Sequence, residues 1–198
     1  LDGAVGRVPL TFITGPVRSG KSRLALKLAR AREAHGASVT YIATATLGQG
    51  DAEWRDRLER HKDERDPAWS LIETAAPGAP APETVMGRAG HGDILIVDST
   101  ATWLAARIDA RLAAGTAIDA AALEPEASAF VDACARSEAY TIVVGDEIGW
   151  GVVPESAAVR HFRDVLGRMQ QRLANEADRA FLVVAGRAID LYEFGTAI

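Results

Sequence analysis

The chain has 198 residues, 48% of them hydrophobic, enough for one substantial core and too few for two independent ones. Its formal net charge of −5, from 22 basic and 27 acidic residues, excludes a broad electrostatic footprint for nucleic acid or anionic membrane but leaves small anionic ligands open. The single cysteine, Cys134, excludes an intramolecular disulfide, no Cys/His run has metal-site spacing, and no apolar stretch reads as a membrane span or signal peptide, so a cytoplasmic protein is expected.

Val8-Pro9-Leu10-Thr11-Phe12-Ile13-Thr14 is a short apolar, β-branched run suited to a buried strand. It leads into Gly15-Pro16-Val17-Arg18-Ser19-Gly20-Lys21-Ser22, which matches G-x-x-x-x-G-K-[ST] at every fixed position, and the following residues to Arg30 are rich in helix formers. Strand, glycine loop and helix therefore follow in the order of a phosphate-binding P-loop. Gly15 and Gly20 permit the tight turns that converge N–H groups on a phosphate, and the helix N-terminus adds partial positive charge. Lys21 is expected to reach the β and γ phosphates of a nucleotide, and Ser22 to ligate Mg²⁺ through its hydroxyl. A plain glycine turn with a solvated lysine would require neither both glycines at this spacing nor Lys-Ser after the second.

His35-Gly36 reads as the helix stop and Ser38-Val39-Thr40-Tyr41-Ile42-Ala43-Thr44 as a second strand. From Asp51 to about Arg65 a charged segment places Trp54, Leu58 and His61 on one helical face, which predicts a helix with His61 pointing inward. Trp69 to Glu73 suits a short edge strand. Ala75 to Gly92, with Pro77, Pro80 and Pro82, reads as an irregular loop and not as a domain boundary. Asp93-Ile94-Leu95-Ile96-Val97-Asp98 has the form of a Walker B strand, which would set Asp98 beside Mg²⁺; the alternative is a strand-end carboxylate capping the next helix. Residues 99 to 114 and 124 to 138 read as helices, the second burying Phe130 and a plain Cys134 thiol. Tyr140 to Val144 is a fourth strand opening into Gly145-Asp146-Glu147. Pro154 is expected to begin a long helix with an apolar stripe of Val159, Phe162, Leu166, Met169 and Leu173, and Ala180 to Val184 is a fifth strand. This alternation predicts the α/β class: a single P-loop NTPase-like domain over residues 1–198, with a mainly parallel sheet flanked by helices and ligands at the strand carboxyl ends.

Taken together, the P-loop, Tyr41-Ile42-Ala43-Thr44, His61-Lys62-Asp63-Glu64-Arg65 with Trp69, Glu147-Ile148-Gly149-Trp150-Gly151-Val152-Val153-Pro154-Glu155 and Arg160-His161-Phe162-Arg163-Asp164 resemble one family in order and spacing. It is the bifunctional adenosylcobinamide kinase and adenosylcobinamide-phosphate guanylyltransferase family of cobalamin biosynthesis, and the likeness runs from Val8 to about Gly186. The resemblance implies that ATP or GTP phosphorylates the aminopropanol hydroxyl of adenosylcobinamide. The phosphate is then capped with GMP from GTP through a guanylylated histidine, giving adenosylcobinamide-GDP. The matching position is His61. A neutral imidazole, with a reference pKa of about 6.5, is an available nucleophile at neutral pH. On the residues alone, His61 reads equally well as a packed histidine beside Trp54 and Leu58.

The resemblance further implies that Thr44, Ala45, Thr46, Lys62, Asp63, Glu64 and Arg65 line the guanine-nucleotide site, where Lys62 and Arg65 would neutralise the departing pyrophosphate. As a charge run, the same segment would be a solvated helix face. Glu73 matches a nucleotide-associated carboxylate or is a strand-end surface residue, and Asp98 matches an acidic family position. A homo-oligomer, of the trimeric kind, is also implied. Two positions depart from the pattern: Asp146 stands where Asn is expected, and Gln170-Gln171 where Asn-Gln is expected. A carboxylate near phosphates repels them unless Mg²⁺ or an Arg intervenes, so Asp146 bears on the kinase half. The rival readings are a P-loop ATPase or GTPase switch and a simple small-metabolite kinase; neither calls for His61 with its basic run.

Overall fold

A computed structural model of the chain describes residues 9–33, 35–45, 65–74, 76 and 78–197. The helix expected between Asp51 and Arg65, and with it His61, Thr46, Lys62, Asp63 and Glu64, lies outside the described residues.

Strands covered on both faces read as continuous apolar runs, and two do so here: β1 (Leu10–Thr14) and β5 (Tyr140–Val144) are buried at every position. Around them lie β2 (Ser38–Ala43), β3 (Ser70–Glu73), β4 (Asp93–Asp98), β6 (Arg179–Val184) and β7 (Arg187–Asp190). These form one seven-stranded sheet in the order β3-β2-β4-β5-β1-β6-β7, parallel throughout except for β7, which pairs antiparallel with β6. The helices are α1 (Lys21–Glu33), α2 (Pro82–Met86), α3 (Thr100–Ala113), α4 (Ala120–Arg136), α5 (Ala157–Glu176) and α6 (Leu191–Phe194).

Helix α1 covers one face of the sheet, packing Ala25, Leu26 and Ala29 against Ile13, Ile94, Ile96 and Ile142. The other face carries the larger core, in which Leu10, Phe12, Leu95 and Val97 meet Leu104 of α3, Phe130 of α4, and Leu166 and Met169 of α5. Burial at roughly 25 cal/mol per Å² of apolar surface makes these two layers the main stabilising term. Parallel register brings the carboxyl ends of β1, β2, β3, β4, β5 and β6 to one edge of the sheet. β1 stands between β5 and β6, so the loops after those two strands flank the P-loop.

The expected elements over the described residues are present, with differences at their ends, and the stretch from Ala75 to Gly92 read as an irregular loop contains the short helix α2, because Pro82 opens its first turn where no N–H partner is needed. Helix α4 starts at Ala120, before Pro125, because the Asp119 carboxylate accepts from the Ala122 N–H at 2.9 Å and caps the first turn. Helix α5 starts at Ala157 instead of Pro154, since Arg160 holds the carbonyls of Pro154 (2.9 Å) and Glu155 (2.5 Å) in the preceding loop. Val159, expected in the apolar stripe of α5, is exposed, whereas Val165 is buried. β7 has no counterpart in the sequence reading: it is an exposed strand joined to β6 by Ala185 and Gly186, both at positive φ, the geometry of a tight hairpin.

Candidate nucleotide-binding site

The P-loop leaves β1 at Gly15, where any Cβ would sit 2.3 Å from the Val183 carbonyl oxygen of β6. No side chain fits there. Gly20, at φ 103°, completes the turn into α1 in a conformation that L side chains rarely adopt. Between them Ser19 N–H donates to the Pro16 carbonyl at 3.2 Å, and Gly186 N–H of the β6–β7 turn donates to the Ser19 carbonyl at 2.9 Å. Pro16, Val17 and Arg18 form the rim of the loop. The Ser19 hydroxyl is buried without a hydrogen-bond partner, an orphaned polar group that a phosphate oxygen would satisfy.

Lys21 opens α1 and is only 6% exposed. Its ammonium donates to the Pro16 carbonyl at 3.2 Å and pairs with Asp146 Oδ1 at 2.9 Å. A buried cation in a loop of N–H groups at a helix N-terminus is an arrangement suited to an anion. Ser22 follows in the first turn of α1, partly buried. Asp146 sits just past the end of β5, and its second carboxylate oxygen accepts from the Ser99 hydroxyl at 2.5 Å. Gln170 of α5 pins this arrangement from below: its amide donates to the Asp146 carbonyl and its Oε1 accepts from Thr14 Oγ1, each at 2.9 Å. The carboxyl ends of β1 and β5 are thus held by one side chain.

Asp98, at the end of β4, is separated from β1 by β5, roughly 10 Å across two strand spacings. Its Oδ2 accepts from the Tyr41 hydroxyl at 2.6 Å. Burial, reinforced by the Asp98 charge, pushes the Tyr41 hydroxyl well above the usual phenol range, so it stays a donor. The cap of α3 is Ser99, not Asp98. Thr44 stitches β2 to β4: its hydroxyl donates to the Ser99 carbonyl at 2.7 Å and accepts from the Ser99 N–H at 2.8 Å. Ala45 continues from it, and Glu73 of β3 lies opposite Ala43 in register. Arg65 stacks with its guanidinium carbon 4.0 Å from the centre of the Tyr41 ring, and its Nε and Nη1 are buried without a partner. It opens onto a cavity of about 420 Å³ walled by Tyr41, Asp66, Pro67, Trp69 and Leu71.

Of the expected site residues that are described, then, Gly15 through Ser22 form one loop between β1 and α1, while Thr44, Ala45, Arg65, Glu73 and Asp98 belong to the β2–β3–β4 end of the same edge. Neither group contains a cluster of His, Cys, Asp and Glu able to hold a metal ion by itself, nor does any other part of the described residues. The oxygen donors present, the Ser22 hydroxyl with the Asp98 and Asp146 carboxylates, are of the hard kind that suits a Mg²⁺ ion sharing its coordination with phosphates and water.

The matching family model, cobinamide kinase / cobinamide phosphate guanyltransferase, covers residues 11–191. The chain belongs to that family. Curated relatives agree: the bifunctional adenosylcobalamin biosynthesis protein CobU of Salmonella typhimurium is 32% identical over 92% of this chain and 99% of its own length, and CobU of Escherichia coli is 30% identical over the same shares. The corresponding protein CobP of Pseudomonas aeruginosa is 34% identical over 91% of this chain and 95% of its own. Among solved structures, an ATPase from the type III secretion system of pathogenic bacteria superposes with a TM-score of 0.53 at 11% identity, over 96% of this chain and 59% of that one. That likeness concerns the fold alone, an α/β P-loop architecture.

Within this family member, sequence reasoning missed Tyr41, Ser99 and Arg163 as site residues and noted Gln170 only as a departure. Arg163 donates to the carbonyls of Gly149 (2.9 Å) and Val152 (2.8 Å) in the loop after β5. Gln170 follows Arg163 by seven residues, about two turns of α5, so both lie on one face of that helix. That spacing was the available signal.

Proposed function

We propose that the chain phosphorylates adenosylcobinamide and then converts the phosphate to adenosylcobinamide-GDP, using the P-loop for the triphosphate and His61 as the guanylyl carrier. The observation that carries this reading is the buried Lys21 inside an intact glycine loop, in a chain that matches a bifunctional family over nearly its whole length. In the kinase step the loop N–H groups between Val17 and Ser22 bind the phosphates and Lys21 offsets their charge. The corrinoid hydroxyl oxygen forms a bond to the γ phosphorus as the bond to the β–γ bridging oxygen breaks. Gln170 keeps the two flanking strand ends fixed, which preserves alignment. Mg²⁺, when bound through Ser22 with Asp98 near it, would supply charge neutralisation.

In the transfer step an imidazole nitrogen of His61 attacks the α phosphorus of GTP and pyrophosphate leaves. An oxygen of adenosylcobinamide phosphate then displaces the imidazole. The unpartnered Nε and Nη1 of Arg65 support a place for it beside this nucleotide, along with Thr44, Ala45, Thr46, Lys62, Asp63, Glu64 and Glu73. A single domain, cytoplasmic and assembled as a homo-oligomer of the trimeric kind, is part of the same reading; the single continuous sheet supports the first, and sedimentation tests the last.

Incubation with α-labelled GTP tests the proposal. An acid-labile, base-stable adduct is expected on the wild type and not on His61→Ala, which should still bind nucleotide and lose GMP transfer by several orders of magnitude, about 10³-fold or more. Label persisting on His61→Ala, or mapping to His35, His91 or His161, would overturn it.

A further inference from the structure

Among the described residues, Asp146 is the carboxylate set against the P-loop lysine, and both of its side-chain oxygens and its carbonyl are engaged. Oδ1 meets the Lys21 ammonium at 2.9 Å, Oδ2 accepts from Ser99 at 2.5 Å, and its carbonyl is held by Gln170 at 2.9 Å. The Lys21 and Asp146 side chains are 8% and 17% exposed, so water screens the pair weakly. A triphosphate bound in the loop must bring its own oxygens onto Lys21. It then competes with Asp146 for one ammonium and lies within about 5 Å of a fixed negative charge, a separation at which like charges repel strongly when partly buried.

We infer that Asp146 makes this P-loop selective for the metal-complexed nucleotide over the free one. With Oδ2 held by the Ser99 hydroxyl and the main-chain carbonyl held by Gln170, the carboxylate cannot swing clear at no cost, so relief has to come from a cation between it and the phosphates. Mg²⁺ carries that charge and retains coordinated waters, through which a carboxylate oxygen can be met. Without nucleotide, the same carboxylate holds Lys21 in place and keeps a buried ammonium paired. The inference rests on the proposed use of the P-loop for a nucleotide, and it concerns the substrate form that the loop accepts.

The test is equilibrium binding of non-hydrolysable ATP and GTP analogues to the full chain, once with excess Mg²⁺ and once in EDTA. The wild type is expected to bind the Mg²⁺ form at least about tenfold tighter than the free form. Asp146→Asn, nearly the same shape without the charge, should tighten the free nucleotide about tenfold and bring the two affinities close together. Asp146→Ala should do the same, which keeps the test open if one variant folds poorly. Ser99→Ala retains the charge but frees Oδ2, and should lower the ratio only part of the way toward that of Asp146→Asn. An unchanged ratio in both Asp146 variants, a parallel loss of both affinities, or an equal collapse in Ser99→Ala would overturn the inference. Absence of any binding to the wild type would remove the P-loop reading with it, whereas binding with an unaltered ratio removes only the selectivity.

Discussion

Lys21 and Asp98 show how much a residue's role depends on what it touches. Both belong to motifs of a P-loop protein, yet only Lys21 lies in the glycine loop after β1, and the carboxylate it meets is Asp146. Asp98 accepts from the Tyr41 hydroxyl through one carboxylate oxygen. Replacing it by Asn keeps an acceptor for Tyr41 and removes the charge. Asp98→Asn should therefore fold normally and raise the Mg²⁺ concentration for half-maximal kinase rate several-fold, about the effect of losing one carboxylate near a shared ion. A superimposable Mg²⁺ titration would leave Asp98 as the anchor of Tyr41 and nothing more.

At the level of elements, the P-loop is shaped by its neighbours as much as by its own residues. Its entry is closed by the Val183 carbonyl of β6 and its middle is bonded to Gly186 beyond that strand. Gly15→Ala puts a methyl group where backbone already stands, and backbone yields less readily than a side chain. The variant is expected to lose about 1–3 kcal/mol of stability, measured by urea unfolding, and to lose nucleotide affinity with it. The loop from Glu147 to Glu155 is organised in the same way: Arg160 and Arg163 of α5 hold five of its carbonyls between them.

For the molecule as a whole, stability comes from the two layers either side of the sheet, and the larger one is centred on side chains such as Phe130, which is fully buried and packs its ring 4.6 Å from that of Trp103. Cys134, one turn further along α4, is also buried, and burial pushes its thiol far above the ordinary range, so it is unreactive packing material. Phe130→Ala should cost about 3–5 kcal/mol. Thermal unfolding should show the loss, and both half-reactions should fall together with the folded fraction. That pattern differs from His61→Ala, which is expected to remove one half-reaction from a folded protein. A selective loss in Phe130→Ala would mean that the core bears on the site beyond supporting it.

The sequence by itself determined the strand–loop–helix phosphate motif, the parallel α/β class and the family likeness, because each is written in local spacing: glycines at fixed offsets, continuous apolar runs, helical periodicity. The helix starts at Ala120 and Ala157 were misplaced because caps are made by side chains that prefer more than one partner, as Asp119 and Arg160 do. Strand β7 was missed because an exposed edge strand carries little hydrophobic signal. Only the tertiary structure decided that Asp146 faces Lys21, that Gln170 ties Thr14 to the Asp146 backbone, and that Tyr41 binds Asp98. Those contacts join residues from separate strands and helices, and sheet order, which brings β5 beside β1 across more than a hundred intervening residues, is set by global packing and not by any local pattern.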